Sequence, residues 1–213
     1  MAVNNKGQEI TSIWTPANIV TCVRIVFIPV FMVVSEYSFT VAGNDRMLAA
    51  GLSAAAFVLY MLLSLTDKVD GELARSRGEV TDFGKFLDPI ADKLLVFSCL
   101  LILLHQGFVN VWFVFIILFR EFLVSALRMV ASANGEVIAA DKLGKWKTAT
   151  TMVSLCGYLL AVCVSFYGIE SGLAALSIGL FALSHVLMVI AVVLTVVSGA
   201  QYFWNARHIV FRV

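Results

Sequence analysis

Residues 47–66, MLAAGLSAAAFVLYMLLSLT, hold 20 consecutive positions without a charged side chain. A helix crosses the bilayer's hydrocarbon core with about 20 mainly apolar residues, whereas a spanning strand alternates polar and apolar residues over about ten. The stretch shows no alternation, so it reads as a membrane-spanning helix. Five more stretches of this kind flank it, at roughly 17–35, 86–105, 110–131, 148–167 and 173–198. Composition agrees: 61% of the 213 residues are hydrophobic and 14% charged, against about a quarter charged in soluble domains. The expected fold is an all-α membrane protein with six transmembrane helices. One domain would run over 17–213, behind a short cytoplasmic or interfacial segment, 1–16.

A net charge of +1 without a basic tail gives no sign of a nucleic-acid partner. Cys22, Cys99, Cys156 and Cys163 fall inside apolar stretches and form no C-x-x-C pair, so they read as small buried hydrophobes. No short apolar run ends in a small-residue cleavage site near the N-terminus, so the first span is expected to be retained. Pro16 suits a helix start, and Pro29 falls within the first span, where membrane helices tolerate it. Connections after the second and fourth spans carry Lys68, Arg75, Arg77, Lys85, Lys142, Lys145 and Lys147, and the opposite connections only Arg46. Positive charge marks the cytoplasmic side, so both termini are expected there.

Directly after the opening stretch the chemistry changes. Residues 64–95, SLTDKVDGELARSRGEVTDFGKFLDPIADKLL, carry five aspartates, two glutamates, three lysines and two arginines. Asp67 and Asp70 lie three apart at the end of the second span, and Asp88 and Asp92 four apart at the start of the third. Each pair shares a helical face. A hairpin that joined these helix ends would bring four carboxylates together, which hard divalent cations such as Mg²⁺ or Mn²⁺ relieve. Solvated loop carboxylates, or surface pairs of Asp88 and Asp92 with Lys85 and Lys93, are the plainer readings. Asp82, Glu72 and Glu79 fit the first of these. Gly71 and Gly84 favour the metal, because a side chain at either would obstruct a ligand.

Asp67-x-x-Asp70-Gly71-x-x-Ala74-Arg75, eight residues, then Gly84-x-x-x-Asp88-x-x-x-Asp92, resembles the signature of the CDP-alcohol phosphatidyltransferases at every fixed position and gap. The resemblance implies a six-helix membrane fold, a homodimer and two divalent ions, Mg²⁺ or Mn²⁺. It implies that Asp67, Asp70 and Asp88 hold one ion, and that Asp92 helps hold the second and acts as general base on the acceptor hydroxyl. Asp67, Gly71, Ala74, Arg75 and Gly84 would line the pocket for CDP-diacylglycerol. These assignments would make residues 17–213 a catalytic domain of the cell membrane with a cytoplasmic active site.

The acceptor is read from a second block. Arg120-Glu121 and Ser125-Ala126-Leu127-Arg128 lie on the fourth span, and Lys142-Leu143-Gly144-Lys145-Trp146-Lys147-Thr148 opens the fifth. Arg120 at mid-span calls for a partner, and Glu121 is able to neutralise a basic neighbour. The lysines by themselves read as headgroup-facing. Cations near a metal site favour an acceptor with its own phosphate. The block, with PANIVTCVRIVFIP at the first span, resembles bacterial phosphatidylglycerophosphate synthases. That implies glycerol 3-phosphate as acceptor, with Arg120, Arg128 and Lys145 on its phosphate. Inositol phosphate, or phosphatidylglycerol in cardiolipin synthesis, is the alternative acceptor, and a cation transporter or channel the alternative class.

Asn18, Thr21 and Arg24 form a polar strip at the start of the first span, either capping and snorkelling or lining the pocket. No function is read from Lys68. His105, His185 and His208 show no ligand spacing and read as core or interface residues. Tyr202, Trp204, Arg207 and Arg212 read as an interfacial anchor, and the chain beyond Thr148 as nearly free of chemistry.

Overall fold

The computed structural model describes residues 15–77, 81–135 and 142–210, with only the backbone described at 67–77 and a few other helical positions. Among these residues there are six helices and no strand: α1 (Pro16–Val41), α2 (Arg46–Arg77), α3 (Asp82–His105), α4 (Val111–Ala133), α5 (Lys142–Ser171) and α6 (Ala174–Val210). The segment 1–14 and Arg212 lie outside the described residues.

Local chemistry accounts for several helix ends. Thr15 caps α1 by accepting the Asn18 N–H, with Pro16 in the first turn where its missing donor costs nothing. Asn110 caps α4 by accepting the Trp112 N–H at 2.9 Å. Just past the end of α5, Gly172 takes φ 73°, a left-handed backbone that a side chain would resist. α1 continues through Pro29 without a break.

The sequence placed a charged connection after residue 66, but α2 stays helical to Arg77 and α3 begins at Asp82. Glu72, Leu73, Ala74 and Arg75 are good helix formers, and lone Gly71 costs only about 1 kcal/mol. The connection shrinks to residues 78–81. Asp67 and Asp70 therefore occupy regular helix, on an extension of 11 residues, about 16 Å at about 1.5 Å each.

Among the described residues, four segments are long and apolar enough to cross a membrane: Asn18–Val41, Arg46–Thr66, Leu143–Tyr167 and Ala174–Arg207. α3 and α4 are long enough but carry Asp88, Asp92 and Lys93, and Arg120, Glu121 and Arg128, along their lengths. The protein is a multi-pass membrane protein.

Packing divides the chain into two units, Met1–Ile102 with Val162–Ala174, and Leu103–Ala161 with Ala175–Val213. In the first, α1 lies against α2, where the fully buried Phe31 and Tyr60 meet with ring centroids 5.4 Å apart. Phe39 meets Phe166 edge-on at 5.4 Å. In the second, α5 and α6 touch closely: Ser154 donates to the Ser184 carbonyl at 2.7 Å, and Tyr158 Oη pairs with His185 Nδ1 at 2.8 Å. His185 is exposed on α6 and is held by Tyr158 on one side and the Phe113 ring on the other. The four cysteines lie within helices and form no disulfide; Cys99 is buried, and Cys22, Cys156 and Cys163 are only partly so.

One expectation at the C-terminal end needs correction. Tyr202 is only 4% exposed, packed with Val124, Leu127 and Ala206, because α4 covers that face of α6. It is a core residue, not an interfacial anchor. Trp204 is exposed with the Arg207 guanidinium 4.0 Å above its ring, which suits an interface.

A Cβ on Gly157 would strike the Ser184 hydroxyl and stand 3.4 Å from the Ser184 Cβ. Gly157→Ala should therefore lower stability by about 1–3 kcal/mol through overpacking, despite alanine's better helix propensity. Adding Ser184→Ala removes the obstruction. Unfolding of the detergent-solubilised protein should show the single variant destabilised and the double variant at or above the parent.

Candidate active site

Buried positions on α1 follow one stripe: Asn18, Thr21, Arg24, Ile28, Phe31, Ser35 and Ser38. The spacing of three and four is that of a single helical face. Its first three members are polar, and each reaches α3 or the residue that caps it. Asn18 Nδ2 donates to Thr81 Oγ1 at 2.7 Å, Thr21 Oγ1 to Asp88 Oδ1 at 2.9 Å, and Arg24 Nη1 to Asp92 Oδ1 at 3.1 Å. One turn on α1 separates Thr21 from Arg24, and one turn on α3 separates Asp88 from Asp92. The two helices run alongside in register as a polar ladder.

The third rung is an ion pair of unequal burial. Arg24 is 2% exposed, whereas the Asp92 side chain is 49% exposed. Asp88 is exposed too. Each carboxylate is thus gripped from α1 and still accessible. Thr15, not the strip, makes the cap of α1, and Arg24 is buried against α3 instead of snorkelling.

Gly84 heads the ladder. A Cβ there would lie 2.5 Å from Asn18 Oδ1 and 3.3 Å from Thr81 Oγ1. Thr81 also accepts the Gly84 N–H at 3.0 Å and so caps α3. Asn18 occupies the space that a side chain at Gly84 would need.

Across the short connection, Asp67, Asp70, Gly71 and Ala74 fall at i, i+3, i+4 and i+7 of α2, one stripe by helical register. Gly84, Asp88 and Asp92 form the corresponding stripe on α3. The side chains of Asp67, Asp70, Ala74 and Arg75, and Gly71 beyond its backbone, lie outside the described residues. So do the side chains of Asp82, Glu72, Glu79, Lys68, Lys85, Lys142 and His208.

The second unit holds the cations. Glu121 Oε1 accepts from Arg120 Nη1 at 3.1 Å and from Lys147 Nζ. Arg120 Nη2 reaches Ser198 Oγ on α6 at 3.2 Å. Lys147 is 6% exposed, which corrects its reading as a headgroup-facing lysine: an apolar site holds it because Glu121 compensates its charge. Lys145 is exposed on the first turn of α5. Arg128 is exposed and stands over the Tyr202 ring at 5.8 Å.

The sequence profile of the CDP-alcohol phosphatidyltransferases matches residues 14–198. The chain belongs to this family. It is 38% identical over 196 residues to the CDP-diacylglycerol–glycerol-3-phosphate 3-phosphatidyltransferase of Bacillus subtilis, covering 89% of this chain and 95% of that one. It is 36% identical over 190 residues to a probable phosphatidylglycerophosphate synthase of Mycobacterium tuberculosis, covering 89% and 80%. With the CDP-diacylglycerol–glycerol-3-phosphate 3-phosphatidyltransferase of Rickettsia prowazekii the identity is 35% over 186 residues, covering 87% and 92%.

CDP-alcohol phosphatidyltransferases use divalent metal ions. The donor set suits such a group: Asp88 and Asp92 present hard oxygens one turn apart on an accessible edge. Among the described residues no three potential ligands gather at one point, and the other two aspartates of the motif lie outside them.

Sequence reasoning missed Thr81, which carries no signal beyond a threonine before a helix. It also missed that Glu121 serves two cations and that Ser198 joins them, although a serine in so apolar a helix is a cue. Replacing Glu121 with alanine would strand Arg120 and Lys147 without their carboxylate. Glu121→Ala should cost about 3–5 kcal/mol, read as reduced resistance to unfolding in detergent micelles. A loss under about 1 kcal/mol, as for an exposed pair, would contradict the buried geometry.

Proposed function

We infer that the protein transfers the phosphatidyl group of CDP-diacylglycerol to glycerol 3-phosphate, giving phosphatidylglycerophosphate and CMP. The observation that carries this reading is the match over 89% of the chain to a relative named for that reaction. The aspartate motif on α2 and α3 supports it.

In this reading Asp67, Asp70 and Asp88 hold one divalent cation and Asp92 helps hold another, Mg²⁺ or Mn²⁺. Bound there, the cations neutralise charge on the pyrophosphate oxygens. Gly71, Ala74, Arg75 and Gly84, with Asp67, line the pocket for the CDP head. Asp92 takes the proton of the acceptor hydroxyl. The acceptor oxygen forms its bond to the phosphorus that carries the diacylglycerol, the bond from that phosphorus to the bridging oxygen breaks, and CMP departs. Arg24 and Thr21 orient Asp92 and Asp88 from α1, and Asn18 completes that wall. Arg120, Arg128 and Lys145 take the phosphate of glycerol 3-phosphate, where arginine's planar fork suits two-point contact.

All six helices cross the cell membrane in this reading, with both termini and the active site cytoplasmic, as the Lys and Arg distribution supports. The working form is a homodimer, on the strength of the family resemblance.

Asp88→Ala should abolish CMP release, and chelation by EDTA should do the same. Full turnover under either condition would refute the metal assignment. Asp92→Asn keeps the shape of the side chain but removes its basicity. It should reduce turnover far more than affinity for CDP-diacylglycerol, and a parallel fall in both would make Asp92 a binding ligand only.

The decisive assay offers labelled CDP-diacylglycerol with glycerol 3-phosphate, glycerol, inositol phosphate or phosphatidylglycerol to the purified protein. Glycerol 3-phosphate should be used best, and Arg128→Lys should raise its KM with little change for the donor. Losing one charge-assisted hydrogen bond of this kind costs about 1.5–3 kcal/mol. Preference for another acceptor would overturn the assignment of glycerol 3-phosphate while leaving the transfer chemistry standing. No CMP release with any acceptor would favour a cation pathway.

A further inference from the structure

Arg120 is held by more than its acidic neighbour. Its Nη2 donates to Ser198 Oγ at 3.2 Å, and that hydroxyl in turn donates to the Thr195 carbonyl on its own helix at 3.3 Å. The serine proton is committed to α6, so the oxygen lone pairs face the guanidinium. Directly beside it, a Cβ on Gly199 would lie 2.9 Å from Arg120 Cγ and 3.9 Å from Arg120 Cβ. The aliphatic stem therefore lies where only glycine at position 199 leaves room, and the head is tied by one hydroxyl and one carboxylate.

Physical chemistry makes this arrangement informative. An arginine at mid-span ordinarily extends its stem until the charge reaches the headgroup level. Here the stem is pinned to α6, Ser198 is 1% exposed, and Arg120 Nε is buried without a partner among the described residues. Of the guanidinium's five N–H donors, one on each terminal nitrogen goes to Glu121 and Ser198. A cation held by so many contacts with donors to spare is prepared to receive an oxyanion.

We propose that Ser198 and Gly199 of α6 are positioning residues for the acceptor phosphate, acting through Arg120. The proposal rests on the assignment of Arg120 to that phosphate. It gives α6 a part in the reaction although its sequence is almost wholly apolar. Gly199 sets where the stem lies, Ser198 sets the rotation of the guanidinium, and neither touches substrate.

The test is a double-mutant cycle on the purified full-length protein, with Arg120→Gln, Gly199→Ala, Ser198→Ala and the two combinations with Arg120→Gln. KM is measured for glycerol 3-phosphate at saturating CDP-diacylglycerol and the reverse. Gly199→Ala should raise the glycerol 3-phosphate KM about tenfold, the scale of one charge-assisted hydrogen bond, with kcat and donor KM almost unchanged. Ser198→Ala should act in the same direction more weakly. Neither should add to the defect of Arg120→Gln, because residues acting through one side chain are non-additive. Additive effects, or a fall in kcat with both KM values unchanged, would overturn the positioning role. If Gly199→Ala cannot be recovered folded, the Ser198→Ala cycle decides alone. An Arg120→Gln variant with an unaltered glycerol 3-phosphate KM would refute the phosphate assignment itself, a different failure from additivity.

Discussion

The contact between Arg24 and Asp92 ties the first and third helices together and holds a half-exposed carboxylate at their edge. Arg24 is nearly inaccessible and Asp92 half exposed, so the pair is not a surface decoration. Its energetic weight comes from Arg24, because a buried cation without its carboxylate is strongly destabilising. Thr21 and Asn18 repeat the grip one and two turns earlier, and Gly84 provides the clearance that lets α1 come close. The apolar half of the same α1 stripe, through Ile28 and Phe31, sits further along the helix. One face of one helix thus serves packing at one end and the acidic site at the other.

A second solution to the same problem appears in the other unit. Arg120 and Lys147 would each be costly in an apolar setting, and Glu121 answers both with a single carboxylate. The group keeps one positive charge in excess. In the proposed function that excess charge attracts the acceptor's phosphate, while the carboxylate lowers the cost of holding two cations in an apolar setting. Gly199 on α6 makes it geometrically possible by letting the backbone approach the Arg120 stem. In a membrane protein, where helix association depends on close packing more than on the hydrophobic effect, glycine and serine are the natural lining.

Much of this was legible in the chain. Long apolar runs specify helices because the bilayer leaves a backbone no other way to satisfy its hydrogen bonds, apart from a closed barrel. The aspartate pairs at three- and four-residue spacing, with their glycines, marked the acidic site because helical register alone puts them on common faces. Glu121 beside Arg120 announced a neutralised cation. What local pattern left undetermined was which partner each group takes. Residue 66 ends the apolar run but not α2, since helix formation continues wherever propensity allows, irrespective of the membrane boundary.

Sequence by itself determined the class, the helices and the acidic motif, all of which depend on short-range periodicity and the demands of the solvent. Tertiary structure alone decided that Arg24 is buried against Asp92, that Gly84 makes room for Asn18, that Lys147 turns inward to Glu121, and that Tyr202 belongs to the core. Arg24 and Asp92 are 68 positions apart, and Glu121 and Lys147 are 26 apart. Whether a lysine or tyrosine near a helix end faces lipid headgroups or a neighbouring helix depends on what packs opposite it. That information resides in the assembled fold and in no single segment.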